Sequence, residues 1–172
     1  MNTSTLTLCE LSALPQSDFV ELLEGIFEHS PWIAERAWAL RPFHSVDELH
    51  AGMLSVLAAA STSEQLSLIQ AHPELAGKEA EAGALTAAST QEQRGAGLDQ
   101  CSAAELGRLR ELNALYRHRH GFPFVIAVKG LSRKQILEAM TTRLARDSAD
   151  EFHGGLEEIG KIARFRLNAL LA

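Results

Sequence analysis

The chain has 172 residues, enough for one domain with a sizeable core. Its 46% hydrophobic and 22% charged residues are ordinary for a globular protein. A net charge of −6 argues against a general nucleic-acid binder, which needs a basic surface.

Met1 to Leu14 lacks the basic start and continuous apolar run of a leader peptide. No segment approaches the ~20 apolar residues of a membrane helix. Cys9 and Cys101 cannot form a four-cysteine zinc site, and no CxxC is present. Leu170-Leu171-Ala172 is not a Ser-Lys-Leu peroxisomal address. The expectation is a bacterial cytoplasmic protein with reduced thiols and neither a nucleic-acid nor a membrane partner.

The apolar pattern is helical nearly throughout. Ser17-Asp18 precedes Phe19, Leu22, Leu23, Ile26 and Phe27, the spacing of one helix face. Pro31 opens a short segment with Trp32 and Trp38 that ends near Arg41-Pro42. Ser45-Val46-Asp47-Glu48 reads as a capping box before Leu49, Met53, Val56 and Leu57. Another helix starts at Ser61 to Gln65 and carries Leu66, Leu68 and Ile69 towards His72-Pro73. Four glycines, Gly77, Gly83, Gly95 and Gly97, then surround one short helical piece near Thr86–Gln93. Ser102-Ala103-Ala104-Glu105 is a further capping box; its helix shows Leu106, Leu109, Leu112 and Tyr116, and Gly121 suits its C-terminal cap.

Phe122 to Val128 is extended in character, with no second strand to pair with. Its backbone groups need partners from side chains, water or a polar ligand. Two more helices follow, one from Ser132 with Ile136, Leu137, Met140 and Leu144, the other from about Ser148 to the end. The reading is one all-α domain over residues 1–172.

Few residues in this apolar frame carry chemistry. His72 and Glu92 have pKa values that let them divide a proton-transfer task. The bland alternatives are a surface or N-capping His72 and a capping box at Ser89-x-x-Glu92. In the last helix, Phe152, Leu156, Ile159, Ile162, Ala163, Leu167 and Leu170 form the expected buried stripe. Arg166 lies seven residues after Ile159, only about 20° away around the helix. It therefore needs an anion, supplied by a buried Glu or Asp or by an anionic substrate. Lys161 and Arg164 point to solvent. Arg117-His118-Arg119-His120 reads as a solvated helix end rather than a metal cluster, and Lys78 belongs to no phosphate loop.

Taken in order, several motifs closely resemble the 2-oxo-4-hydroxy-4-carboxy-5-ureidoimidazoline (OHCU) decarboxylases. They are His72-Pro73-Glu74-Leu75-Ala76-Gly77-Lys78, Leu85-Thr86 with Ser89-x-x-Glu92-Gln93, and Gly95-Ala96-Gly97-Leu98. Leu112-Asn113-x-x-Tyr116, Gly121-Phe122-Pro123-Phe124-Val125-Ile126-Ala127 and Ile162-Ala163-x-x-Arg166-Leu167 complete the set. The resemblance spans essentially the whole chain. It implies a cofactor-free, metal-free, all-helical carboxy-lyase, typically a homodimer, that forms (S)-allantoin and CO2 in urate catabolism.

The same resemblance makes His72 the proton donor, Glu92 its partner and Arg166 a residue of the site. It lines the substrate site with Pro73, Ser89, Thr90, Gln91, Glu92, Gln93 and the backbone of Phe124, Val125, Ile126, Ala127 and Val128. The chain departs from the usual pattern at Glu74, where Asp is common, and at His120, often an aromatic residue. Two competing readings are a metal-assisted cyclic-ureide hydrolase using His72, Glu92 and another histidine as ligands, and a non-catalytic helical interaction module.

Overall fold

A computed structural model describes residues 6–171. Met1–Thr5 and Ala172 lie outside the described residues, as do the parts of the leader-peptide and C-terminal address readings that rest on them. Ten α-helices follow in order: α1 (Leu8–Ala13), α2 (Gln16–Leu23), α3 (Trp32–Ala37), α4 (Val46–Ala59) and α5 (Thr62–Ala71), then α6 (Lys78–Glu81), α7 (Ala87–Gly95), α8 (Ala103–His120), α9 (Arg133–Leu144) and α10 (Ser148–Leu171). No strand occurs among the described residues, as the all-α reading expects. None of their helices is long and apolar enough to cross a membrane.

The chain divides into two compact units, one of residues up to Leu68 together with Gly160 onward, the other Ile69–Ile159. In the first unit, Leu11, Phe19, Leu23, Ile33, Leu49 and Met53 are fully or almost fully buried. Phe19 and Phe43 stack with ring centroids 6.3 Å apart. The helix predicted from Ser17 starts beside it at Gln16 and stops at Leu23. Ile26 and Phe27 still bury their side chains from the turns that follow. At α4 the Ser45 hydroxyl accepts from Glu48 N at 3.0 Å, but the Glu48 carboxylate takes His44 N, not Ser45 N. The capping box is thus shifted by one residue on its return bond.

In the second unit, Leu109, Leu112, Phe124, Ile136, Met140 and Ile159 are buried. Ser102 and Glu105 form the complete predicted box at the head of α8, and Ser132 with Gln135 does the same for α9. Gly121 ends α8 at φ +79°, a left-handed conformation that a Cβ would strain. The chain then runs through 122–128 without regular structure.

The predicted stripe of α10 holds at Ile159, Ile162, Ala163 and Leu167. It weakens at its ends: Phe152 and Leu156 are half-buried and Leu170 is exposed.

Candidate active site

His72 follows the last residue of α5, and its backbone N–H closes the helix on Ile69 O at 3.2 Å. Pro73 then carries the chain out of the helical path. The imidazole is 6% exposed, so His72 is not a surface histidine. Nor does it cap α6, whose N-cap is Gly77. Behind it the chain turns sharply: Ala76 adopts φ +48°, unusual for a residue with a Cβ. Gly77 has no room for one, since an added Cβ would meet Glu74 Cβ at 2.9 Å.

Helix α7 is packed against this turn through Gln93. Ala76 N donates to Gln93 Oε1 at 3.0 Å, and Gln93 Nε2 donates to Glu74 O at 3.4 Å. Ser89 and Gln93 are buried four residues apart, and Glu92 lies on the same side of the helix at the i+3 position from Ser89. The cap of α7 is Thr86, whose hydroxyl accepts from Ser89 N at 3.2 Å. Ser89 and Glu92 are therefore helical residues, and the capping-box alternative for them is excluded. Thr90 spends its hydroxyl on Thr86 O at 2.9 Å, and Gln91 is exposed.

Helix α8 holds the turn from another side. Asn113 Nδ2 donates to Leu75 O at 3.0 Å, and Arg117 Nε donates to the Glu74 carboxylate at 2.8 Å. Arg117 thus has a specific partner at what the sequence presents as a solvated helix end. His120 departs further from that reading, being buried at 8% exposure. Its ring lies 4.5 Å from Tyr116 and stacks on Phe122, taking the place of an aromatic side chain. Its Nδ1 pairs with Ser148 Oγ at 2.7 Å.

The 122–128 segment finds part of its hydrogen bonding in side chains. Val125 O accepts from Arg143 Nη1 at 2.8 Å, and Ala127 N donates to Glu158 Oε2 at 2.8 Å. Arg143 also donates through Nε to Glu151 Oε1 at 2.8 Å, and the Tyr116 hydroxyl donates to that same oxygen at 2.7 Å. The guanidinium lies over the Phe124 ring, 4.4 Å from its centroid. Burial, reinforced by the hydrogen bond to Glu151, pushes the Tyr116 phenol above its ordinary range. A buried ion pair thus fixes the segment that the resemblance assigns to the substrate.

Arg166 belongs to the first unit and is 8% exposed, as its register requires. Nη2 donates to Glu28 Oε1 and Nη1 to Gly25 O, both at 3.0 Å. The buried-carboxylate alternative is therefore real, because Glu28 is 2% exposed. On the neighbouring face Lys161 is exposed, while half-buried Arg164 pairs with Asp47.

The sequence reading gave no site role to Asn113, which entered it only within a motif, nor to Arg143, Glu151, Glu158 and Glu28. For three of them a signal was available. Asn113 lies among Leu109, Leu112 and Tyr116, Arg143 continues Ile136 and Met140, and Glu151 lies eight residues before Ile159. Each is a polar residue in an apolar stripe, the pattern that identified Arg166. No group of three or more His, Cys, Asp or Glu side chains suited to a metal ion occurs among the described residues.

The sequence profile described as OHCU decarboxylase matches residues 12–168. The 2-oxo-4-hydroxy-4-carboxy-5-ureidoimidazoline decarboxylase of Haloferax volcanii is 43% identical over 162 residues, covering 94% of each chain. This chain belongs to the OHCU decarboxylase family. The uric acid degradation bifunctional protein PucL of Bacillus subtilis is 41% identical to it over 94% of this chain and 32% of that protein. A crystal structure of (S)-allantoin synthase superposes with a TM-score of 0.77 at 28% identity, over 96% of this chain and 54% of that one. Similarity to OHCU decarboxylases thus runs through the His72 turn, α7, the 122–128 segment and Arg166.

Proposed function

We propose that this OHCU decarboxylase family member converts 2-oxo-4-hydroxy-4-carboxy-5-ureidoimidazoline to (S)-allantoin and CO2 in urate degradation, with His72 as proton donor and Glu92 as its partner. The observation that carries the residue assignment is a buried imidazole at the head of a strained turn held against the helix that bears Glu92. The substrate has a carboxylate and a hydroxyl on ring carbon C4, beside the C=N bond at C5. Loss of CO2 sends the electron pair of the broken C–C bond into a C4=C5 double bond while the ring nitrogen takes up the displaced C=N pair, giving an enol. A proton added at C5 and the hydroxyl proton lost from O4 then leave the C4 carbonyl of allantoin. The protein must stabilise the charge that develops on the ring nitrogen and O4 and deliver one proton to one face of C5. Each preorganised donor aimed at developing charge supplies about 3 kcal/mol.

Backbone N–H groups of the 124–128 segment near Ile126, other than that of Ala127, are proposed as donors to ring or ureido oxygens, in a stretch whose course Arg143 and Glu158 help to fix. Arg166 is proposed separately as an anchor for a substrate oxygen, its planar fork oriented by Glu28 and Gly25. A homodimer is proposed from the resemblance alone. Sedimentation at the 18.7 kDa of one chain would remove it.

The test couples urate oxidation and hydrolysis to this protein in chelator and follows circular dichroism of the product. Rapid formation of optically active (S)-allantoin is expected. His72→Asn should slow turnover by at least ~100-fold with the helical spectrum intact, and Arg166→Lys should also be damaging. Slow racemic product with the native chain would sink the activity. Near-native turnover in His72→Asn would sink the assigned proton donor while leaving the activity standing.

A further inference from the structure

Asn113 occupies an apolar stripe of α8 with Leu109, Leu112 and Tyr116, and is 4% exposed. Its Nδ2 holds Leu75 O at 3.0 Å, while its Oδ1 is buried with no hydrogen-bond partner. Leaving a carboxamide oxygen unsatisfied is costly, and a leucine of similar size would fill this place without that cost. Packing does not explain an asparagine here. Its bond to Leu75 O does.

That bond is one of several on the same short turn. Arg117, one helical turn after Asn113, takes the Glu74 carboxylate. Gln93 takes Ala76 N with one end of its amide and Glu74 O with the other. Two helices thus grip Glu74, Leu75 and Ala76 in succession. Ala76 is left-handed at φ +48°, a conformation that persists where surrounding contacts over-determine it. Only the rigid Pro73 separates this gripped segment from His72.

We propose that Asn113 is a positioning residue for His72, acting with Gln93 and Arg117 through the 74–76 turn. Gln93 accordingly works on the protein backbone, because both ends of its amide are committed there. The inference rests on His72 being the proton donor. A displacement of a reacting group by about 1 Å lowers turnover by on the order of 100-fold, so loosening the turn should act on kcat more than on KM.

The experiment compares native protein, His72→Asn, Asn113→Leu and Arg117→Leu in three readouts: steady-state kinetics, the pH profile of kcat, and the His72 ring resonances in isotopically labelled protein. The ring signals are assigned by their loss in His72→Asn. Asn113→Leu is expected to lower kcat by roughly 10- to 100-fold, leave KM within about threefold, and shift both the His72 titration and the limb of the pH profile it governs. Native kcat and unchanged ring resonances, with only the melting temperature altered, would overturn the proposal. Arg117 is half exposed, so Arg117→Leu provides the readout if Asn113→Leu does not fold. A smaller shift of the same ring signals supports the proposal, and unmoved signals overturn it. An inactive His72→Asn beside a fully active Asn113→Leu rejects the positioning role alone. An active His72→Asn rejects the proton donor beneath it.

Discussion

Tyr116 shows how one buried hydroxyl ties the second unit together. Its O–H donates to a Glu151 oxygen that also receives Arg143, which in turn donates to the backbone of Val125. A free phenol ionises near pH ~10. Here burial and the adjoining carboxylate both oppose a second negative charge and hold the proton on. Tyr116 is the chain's sole tyrosine, so tyrosinate absorbance reports it directly. The folded protein should titrate well above the denatured chain. Because the folded pKa is the higher one, the stability it contributes is complete below pH ~10 and is lost as pH rises through the folded value. Tyr116→Phe leaves a buried carboxylate oxygen short of a donor and should destabilise the fold by about 1–3 kcal/mol. Coincident titration of folded and denatured protein would sink this account of the network.

At the scale of elements, local chemistry was largely legible. The boxes at Ser102 and Ser132 stand where their spacing puts them, and Gly121 ends α8 with the left-handed turn its position requires. An added Cβ at Gly121 would meet nothing within 4 Å, so the cost of Gly121→Ala is conformational alone. It should lower stability by about 1–2 kcal/mol, read as a lower denaturation midpoint at unchanged slope. A variant as stable as the native chain would show that this cap is dispensable. What was not legible came from pairings distant in sequence. Arg166 announced its need for an anion by register, but nothing local identified Glu28 as the one it meets in the first unit. The 122–128 segment announced unpaired backbone, but its partners Arg143 and Glu158 come from helices further along the chain. Ser89 shows the opposite case: its capping-box alternative gives way to a cap at Thr86, where the sequence already places the start of the helical piece.

Over the whole molecule, response to acid should follow the helix starts. Glu10, Glu64 and Glu105 each stand at the third position of a helix and accept the backbone N–H of the residue that caps it. For Glu10 the bond from Thr7 N is the main cause that lowers its carboxyl, and for Glu105 it is the bond from Ser102 N, followed by Arg133. Glu64 is held lowest, at about 2 against an ordinary 4.5, first by its hydrogen bond from Arg36 and then by Ser61 N. A carboxyl whose folded pKa is depressed contributes stability that is present above its unfolded value and lost as pH falls through the folded one. Stability should therefore be level above pH 4.5 with respect to these groups and should decline from there towards pH 2. The Arg36–Glu64 pair is solvent-accessible, so added salt should weaken its share, whereas the bonds to capping N–H groups should be less sensitive. Thermal melts across this range should show a shallower acid limb in Glu64→Gln than in the native chain, with the gap between the two proteins narrowing as pH falls towards 2. Parallel limbs would mean that Glu64 gains nothing on folding and that acid sensitivity arises elsewhere.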